Sequence, residues 1–370
     1  MSFVIPPYPF DRLEPILATA DRHDGGRIDC SIGTPCDAPP SLVLDALAAA
    51  TSHQGYPKSV GSATYRAAVA AYLARRYAVQ VPESAIAACV GTKEFVASLP
   101  SYLRLRDESR DTVLYPATSY PTYEMGARVA SLRAVAVPVV DGALDLDAIS
   151  ADDAARALCL WVNSPSNPTG RVDDLSRVAT WGRRHGVLVA SDECYSEFTW
   201  TGSPRSILQE GSEGVLAVHS ISKRSNLAGV RAGFYAGDAQ VVSFLALARQ
   251  HAGLMVAGPV QDAVAVAYGD DAHVDAQRAR YHERLDLMSA ALRDVGFSVD
   301  PCEGAFYLWV TEGRDGFDTA QRLAEASGLV VSPGEFYGER SDAYVRVAMV
   351  QPTARLEIVA QRLRESSLNR

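Results

Sequence analysis

A lysine flanked by hydroxyl side chains is the feature of this sequence that points most directly to chemistry. Lys223 follows Ser220 and Ser222, and Arg231 lies eight residues further along the chain. A lysine in a partly dehydrated pocket can lose its proton and attack a carbonyl group to form a Schiff base. Serine hydroxyls and a two-pronged arginine suit a phosphate dianion. Pyridoxal 5′-phosphate (PLP) carries both groups, although this segment alone is also typical of a basic surface loop.

Three polar side chains that follow apolar runs fit the same ligand. Asp192 follows residues 187–191, and its carboxylate could pair with the pyridine nitrogen of PLP and keep it protonated, which makes the ring an electron sink. Tyr195 lies three residues further on, and Asn167 lies in an Asn-Pro-Thr-Gly segment after residues 158–162. Both could reach the ring oxygen O3′. A helix cap at Asp192 and a simple turn at Asn167 are the alternatives.

Two loops and one strand supply further candidate contacts. Gly91, Thr92 and Lys93 stand where a loop enters a helix, and backbone N–H groups at a helix N-terminus bind anions. Tyr120 lies in a proline-fixed loop and could stack on the pyridine ring. Arg346 lies on an alternating strand, and its guanidinium suits a substrate carboxylate. Each feature has an ordinary structural alternative, but their occurrence together in this order predicts a PLP site.

Short apolar runs that alternate with helical patterns predict a mainly parallel sheet. The runs occupy residues 113–115, 134–140, 158–162, 187–191 and 215–219, and helical apolar spacing marks residues 64–77. Near-continuous hydrophobicity is typical of strands that are buried on both faces. We therefore expect an α/β fold. Because active sites in such sheets gather at the carboxyl ends of the strands, the candidate residues are expected to lie close together.

The sequence pattern changes near residue 265. A long charged helix over residues 272–294 precedes apolar runs at 297–299, 306–310, 329–331 and 344–348, and a final helix is expected near 354–364. These patterns predict a smaller α+β domain over residues 266–370, after a large PLP-binding domain over residues 36–265. Residues 1–35 are expected to form an N-terminal arm that joins the small domain.

Composition argues against several classes of protein. A chain of 370 residues with 48% hydrophobic content is long enough for roughly two domains. A net charge of −9 without a basic block argues against nucleic acid as a partner. The first 30 residues contain only three basic residues, Arg12, Arg22 and Arg27, which argues against a PLP-responsive DNA-binding regulator. No apolar run reaches the length of about 18 residues that a membrane span requires. The six scattered cysteines suit no metal site, and the first ten residues lack a signal-peptide pattern, so we expect a cytoplasmic enzyme.

In this order, the motifs resemble those of the fold-type I aminotransferases of class I and II across nearly the whole chain. The resemblance implies a large, mainly parallel seven-stranded sheet domain sandwiched by helices, and a smaller α+β domain. It implies that Lys223 is the Schiff-base lysine and proton shuttle, that Asp192 pairs with the pyridine nitrogen, and that Tyr195 and Asn167 contact O3′. Tyr120 matches the stacking ring. The matching phosphate contacts are Gly91, Thr92, Lys93, Ser220, Ser222 and Arg231.

The same resemblance assigns residues to the substrate and to a neighbouring subunit. Arg346 matches the arginine that binds the α-carboxylate, with Gly33 at the same end and Asn167 also in contact with substrate. Tyr56 matches a tyrosine that reaches the phosphate of the neighbouring subunit. The resemblance therefore implies a homodimer with composite active sites.

Several segments are similar to the actinobacterial type of N-succinyldiaminopimelate aminotransferase, namely residues 91–94, 120–128, 222–229, 304–309 and 333–338. This similarity implies a ping-pong exchange between glutamate/2-oxoglutarate and N-succinyl-LL-2,6-diaminopimelate/N-succinyl-2-amino-6-oxopimelate, in lysine and diaminopimelate biosynthesis. Val230 departs from the aromatic residue of that type. An aminotransferase for another amino acid in a specialised pathway, and a PLP-dependent β-lyase, are the alternatives. Candidate cations for a succinyl arm are Lys58, Lys93, Arg128 and Arg224.

Overall fold

The computed structural model describes residues 5–50, 55–366 and 368, and in it the chain divides into two compact units. The larger unit comprises Ala38–Arg278 and Glu303–Ala305. The smaller unit comprises Met1–Asp37, Ala279–Cys302 and Phe306–Arg370. The first four residues of the expected N-terminal arm lie outside the described residues.

Nine strands belong to the larger unit, counted over its described residues. They are β2 (Ile86–Cys89), β3 (Thr112–Pro116), β4 (Arg133–Val137), β5 (Val139–Val140), β6 (Ala143–Leu144), β7 (Ala157–Asn163), β8 (Leu188–Asp192), β9 (Val215–Ser220) and β10 (Gly233–Gly237). Seven of them form one sheet in the order β2-β10-β9-β8-β7-β3-β4. Strands β9, β8, β7, β3 and β4 run parallel to one another, and β10 pairs antiparallel with β2 on one side and β9 on the other. The expected mainly parallel, seven-stranded α/β architecture is confirmed.

Helices cover both faces of this sheet. They are α2 (Ser41–Ala49), α3 (Ala63–Tyr77), α4 (Thr92–Arg106), α5 (Thr122–Val129), α6 (Ala151–Arg156), α7 (Leu175–His185), α8 (Ile221–Arg224), α9 (Ala239–His251), α10 (Gly258–Gly269) and the start of α11 (Ala272–Asp294). Alternate residues of the strands point into two separate cores. Leu160 and Val162 of β7 pack in one core, whereas Cys159 and Trp161 pack in the other. This double burial explains the near-continuous apolar runs of the sequence.

One expected strand is shorter in the structure. The apolar run over residues 134–140 is divided at Pro138, which has no N–H to donate to a neighbouring strand. Strand β4 ends at Val137, and the chain continues in β5, which pairs with β6 in a separate hairpin. Strands β2 and β10 were not expected, because their alanine- and glycine-rich sequences carry a weak strand pattern.

The smaller unit is built around a four-stranded antiparallel sheet in the order β11-β12-β15-β14. The strands of the smaller unit are β1 (Ile28–Asp29), β11 (Ser298–Val299), β12 (Tyr307–Thr311), β13 (Leu329–Val330), β14 (Ser332–Pro333) and β15 (Val345–Ala348). The further helices of this unit are α1 (Glu14–Asp21), α12 (Gly316–Ser327) and α13 (Thr353–Glu365). Strand β1 pairs in parallel with β13, so the N-terminal segment is part of this unit.

The units divide at residues 37/38 and 278/279, whereas the sequence pattern placed the boundaries at 35/36 and 265/266. The difference arises because helix α10 packs against α2 and α3, which belong to the larger unit. Among the residues described, no helix combines the length and the apolar character needed to cross a bilayer.

Candidate active site

Polar residues lie side by side at the carboxyl ends of three adjacent strands. Asn163 ends β7 and pairs in register with Asp192, which ends β8. Asp192 in turn pairs with Val218, two residues before Ser220 ends β9. The parallel sheet therefore brings Asp192 and Ser220, two of the sequence-predicted residues, to one edge.

Lys223 lies on the one-turn helix α8, directly after β9. Ser220 caps this helix, since its Oγ accepts a hydrogen bond from the N–H of Ser222 at 3.0 Å. Lys223 is half-buried, while Ser222 and Arg224 on either side of it are buried. The sequence order thus places Lys223 one turn beyond the strand end, beside Ser220.

An anion cradle forms where β2 leads into α4. Gly91 has φ +76° and precedes the helix, and a Cβ built on it would overlap Nη2 of Arg231. The guanidinium therefore packs directly against the glycine backbone at the N-terminus of a 15-residue helix. Thr92 is half-buried in the first turn, and Lys93 is exposed. A helix N-terminus with an adjacent arginine provides N–H donors and positive charge for a phosphate.

Asp192 is buried, with 7% of its surface exposed, and both oxygens of its carboxylate accept hydrogen bonds from the protein. Tyr123 Oη donates to Oδ2 at 2.9 Å, and the backbone N–H of Cys194 donates to Oδ1 at 3.2 Å. Burial raises the pKa of Asp192 above the ordinary value, while these donors act in the opposite direction. A buried carboxylate of this kind suits a cationic partner.

The loop that follows β7 holds Asn167 beside the same strand ends. The backbone N–H of Asn167 donates to Oδ1 of Asn163 at 2.7 Å, and Nδ2 of Asn163 donates to the carbonyl of Asp192 at 2.8 Å. Asn167 and Tyr195 are both buried, and Tyr195 lies three residues after Asp192. The loop and the end of β8 are thus tied together by one asparagine.

An aromatic cluster lies between the Tyr120 loop and β7. The rings of Tyr120 and Tyr123 meet edge to face with centroids 6.0 Å apart, and Tyr123 stacks on Trp161 with centroids 5.1 Å apart. Sequence reasoning assigned no role to Tyr123. Its position three residues after Tyr120, at the start of a helix, is the signal that relates the two rings.

In the smaller unit, Arg346 is 3% exposed and lies between two aromatic rings. The guanidinium carbon is 4.2 Å from the ring centroid of Tyr307 and 4.9 Å from that of Tyr337, and Nη2 donates to the carbonyl of Ser31. A Cβ on Gly33 would overlap the hydroxyl of Tyr307, so only glycine fits there. Stacking on both rings fixes the plane of the guanidinium fork. The sequence indicated Arg346 and Gly33 but not the two tyrosines.

A family model described as aminotransferase class I and II matches residues 27–363. The chain belongs to the class I and II aminotransferases. It is 43% identical to a probable aminotransferase of Mycobacterium tuberculosis, over 98% of this chain and 86% of that protein. It is 42% identical to the 4-dedimethylamino-4-oxo-anhydrotetracycline transaminase OxyQ of Streptomyces rimosus, over 97% and 99%. A solved structure of a probable N-succinyldiaminopimelate aminotransferase of Thermus thermophilus has 32% identity and a TM-score of 0.88, over 96% of this chain and 99% of that one.

Class I and II aminotransferases depend on PLP and exchange amino groups between amino acids and keto acids. The larger unit of this aminotransferase fits that cofactor. The glycine–arginine cradle at α4 suits the phosphate, since the space a Cβ would fill at Gly91 is taken by the Arg231 guanidinium. The buried Asp192 carboxylate suits a protonated ring nitrogen, and Lys223 is the amine that can link to an aldehyde.

Two further sequence-predicted positions have distinct environments in this aminotransferase. Tyr56 is 97% exposed on the single chain. Arg224 is buried and contacts the carboxylates of Glu197 and Asp271. It also donates to the carbonyl of Ala267 at 2.6 Å, so its hydrogen-bonding capacity is used within the protein. These contacts argue against Arg224 as a ligand for a succinyl arm.

Proposed function

We propose that this aminotransferase exchanges an amino group between glutamate/2-oxoglutarate and N-succinyl-LL-2,6-diaminopimelate/N-succinyl-2-amino-6-oxopimelate, by a ping-pong reaction in lysine and diaminopimelate biosynthesis. The observation that carries the substrate assignment is the similarity to the Thermus protein, at 32% identity over 96% of the chain. Five sequence segments similar to the actinobacterial type support it.

When bound, PLP supplies an aldehyde that links to amines and a cationic ring that withdraws electrons from the reacting carbon. In the proposal, Nζ of Lys223 holds the cofactor at rest and, once displaced, removes the Cα proton of the amino donor. The same amine would return a proton within each half-reaction, and in the second half-reaction it would place that proton on the corresponding carbon of the acceptor. Lys223 lies on α8, which Ser220 caps directly after β9.

In the proposal, buried residues of the larger unit orient the cofactor and balance its charges. Asp192 keeps a proton on the ring nitrogen, while Asn167 and Tyr195 hold the ring oxygen by hydrogen bonds. Tyr120 covers one face of the ring. Donors from α4, α8 and Arg231 anchor the phosphate, and the burial of Asp192, Asn167 and Tyr195 excludes water from the reacting atoms.

Arg346 binds the α-carboxylate of both substrates in this proposal, and Arg346→Ala tests it. A hydrogen bond to a charged group contributes about 1.5–3 kcal/mol, so KM for glutamate is expected to rise about ten- to hundredfold, with a smaller change in kcat. Steady-state kinetics measures both values. As a control, binding of a primary amine that has no carboxylate should be unaffected. Unchanged KM values for glutamate and 2-oxoglutarate would contradict the assignment.

A second candidate substrate is a ketone of specialised metabolism, because OxyQ is 42% identical over 97% of the chain. The name of that relative describes amination of an anhydrotetracycline ketone. The catalytic groups of the larger unit serve either acceptor, since they act at the cofactor and the reacting carbon. The acceptor must therefore be distinguished by measurement.

A panel of acceptors with glutamate as donor decides between these substrates. The proposal predicts a kcat/KM for the succinylated diaminopimelate pair at least about tenfold above that for the unsuccinylated pair, which corresponds to about 1.4 kcal/mol of discrimination. Equal values would overturn the succinyl assignment. Turnover of the anhydrotetracycline ketone alone would establish the second candidate, and pyruvate and ammonia released from cysteine would instead indicate a β-lyase.

We further propose a cytoplasmic homodimer with composite active sites. The support is the 97% exposure of Tyr56 on the single chain, since a tyrosine between glycine and proline in such a position suits contact with a second subunit. In the dimer, Tyr56 reaches the cofactor phosphate of the neighbouring subunit. Sedimentation equilibrium of the holoenzyme checks this, and the mass of one chain would contradict it.

A further inference from the structure

We propose that Tyr123 is a positioning residue for the cofactor: its hydroxyl fixes the Asp192 carboxylate as the partner of the ring nitrogen. The inference rests on the proposed PLP-dependent activity. It concerns a residue to which neither the motifs nor the resemblance assigned a role.

The first observation is the hydrogen bond between two buried side chains. Tyr123 Oη lies 2.9 Å from Oδ2 of Asp192, and Tyr123 has 0% of its surface exposed. The other carboxylate oxygen accepts the backbone N–H of Cys194 at 3.2 Å. Because each oxygen has a donor, the plane of the carboxylate is defined before any cofactor binds. Hydrogen bonds to a charged acceptor are shorter and stronger than neutral ones, and pre-organisation of this kind lowers the cost of binding a cation.

The second observation is that the phenol ring is itself held in place. It stacks on Trp161 at a centroid distance of 5.1 Å and an interplanar angle of 25°. Trp161 lies on β7 and pairs in register with Ala190, two residues before Asp192 on the adjacent strand. The ring of Tyr120 also meets the Tyr123 ring, in an edge-to-face arrangement. One side chain therefore connects the expected stacking ring with the carboxylate that faces the ring nitrogen.

The charges agree with this role. Burial, together with the adjacent Asp192 charge, raises the pKa of Tyr123 well above its ordinary value, so the phenol stays protonated and donates. The hydrogen bond from Tyr123 opposes the upward effect of burial on the pKa of Asp192. Tyr123 thus favours a negative charge on Asp192, and the proton remains on the ring nitrogen.

Other titratable groups also face Asp192. The Cys194 thiol, whose pKa burial raises well above its ordinary value, also hydrogen-bonds the Asp192 carboxylate, and its Sγ lies 3.3 Å from Oγ1 of Thr92. On the neighbouring strand, His219 lies 2.9 Å from Oε2 of Glu193, and both are buried. These groups are the same in the variant and the wild type, so a difference between the two reports the Tyr123 hydroxyl.

The test is Tyr123→Phe in the PLP-loaded enzyme, followed through the absorbance of the bound cofactor as the pH is varied. Without the phenol, Asp192 competes more strongly for the ring proton, the ring carries less positive charge, and the nitrogen that joins the cofactor to Lys223 keeps its proton to higher pH. The titration midpoint is expected to rise by about one pH unit. The dissociation constant of PLP should rise about tenfold or more, and kcat should fall by a similar factor. KM for glutamate should stay within about twofold.

Tyr268→Phe is the matched control, because Tyr268 is a buried phenol of the same unit whose hydroxyl has no hydrogen-bond partner among the described residues. The titration midpoint of the Tyr268→Phe holoenzyme should equal that of the wild type. The decisive comparison repeats Tyr123→Phe in an Asp192→Asn background, where the shift should vanish if Tyr123 acts through Asp192. An unchanged midpoint in Tyr123→Phe, or an equal shift in both backgrounds, overturns the inference.

Two outcomes separate this inference from the proposed function. A wild-type protein that binds no PLP would contradict the function itself, whereas a PLP-binding wild type with an unaltered Tyr123→Phe spectrum contradicts only the role of Tyr123. If Tyr123→Phe does not fold, Trp161→Phe is measured in its place. The Trp161→Phe substitution weakens the stacking contact that orients the Tyr123 phenol. A smaller upward shift is then expected, and no shift overturns the inference.

Discussion

Lys223→Ala is expected to abolish transamination while the protein remains folded. The variant loses the amine that links to the cofactor and carries the Cα proton. General acid–base catalysis alone contributes about 10²–10⁴-fold, so kcat should fall by about 10⁴-fold or more when the covalent link is lost as well. Single-turnover conversion of the glutamate-treated holoenzyme, followed by absorbance, measures the loss. PLP is still expected to bind, held by the phosphate cradle and Asp192.

Lys223→Arg is the matched control for this prediction. Arginine keeps the positive charge and the length of the side chain but remains protonated, so it is neither a nucleophile nor a base. It should be as inactive as Lys223→Ala. A small primary amine added to Lys223→Ala should restore part of the rate, because the free amine takes over the proton transfer. Activity within about tenfold of the wild type in either variant would contradict the role of Lys223.

The second large effect is expected for Asp192→Asn. Asparagine can accept the Cys194 N–H and donate to Tyr123, so the local packing is retained, but it carries no charge to hold the ring nitrogen protonated. Loss of one partner from a buried ion pair costs about 3–5 kcal/mol, which corresponds to a fall of about 10²–10⁴-fold in kcat. Asp192→Glu, which keeps the charge, should recover more of the rate than Asn if charge is the decisive property.

Asp192→Asn is expected to stabilise the apoprotein, although it lowers the activity of the holoenzyme. Burial raises the pKa of Asp192 in the folded state. The free energy of unfolding therefore falls as the pH rises from the ordinary carboxyl pKa to the raised one, and above that window the loss is constant. Asp192→Asn removes this component. Urea denaturation of both apoproteins should therefore show a stability difference in favour of the variant that grows across that window. A variant less stable than the wild type at neutral pH would contradict this account of the buried carboxylate.

The sequence predicted the position of strands and site residues where burial restricts the residue types strongly. Residues 158–162 and 187–191 are apolar on both faces, which predicts central parallel strands, and Asp192 follows such a run directly. Its location at a strand end, next to the end of β7, could therefore be predicted. The division of residues 134–140 could also have been predicted from Pro138, which has no N–H for a ladder.

Contacts between segments distant in the chain could not be predicted. Arg231 packs on Gly91, 140 positions earlier in the sequence, and no local pattern relates the two residues. Similarly, Tyr307 and Tyr337 stack on Arg346 only because their strand and loop meet in the smaller unit. Such contacts depend on the register of the strands and on side-chain packing, which periodicity and composition do not specify.

The central claim is a covalent link between Nζ of Lys223 and the aldehyde of PLP, and borohydride reduction followed by peptide mapping tests it most directly. The chain contains only three lysines, Lys58, Lys93 and Lys223, so each can be assigned to its own peptide. The account predicts one stable phosphopyridoxyl label per chain, on the peptide that contains Lys223, and none after glutamate has converted the cofactor. A label on Lys58 or Lys93, or no label on holoenzyme that contains PLP, would contradict it.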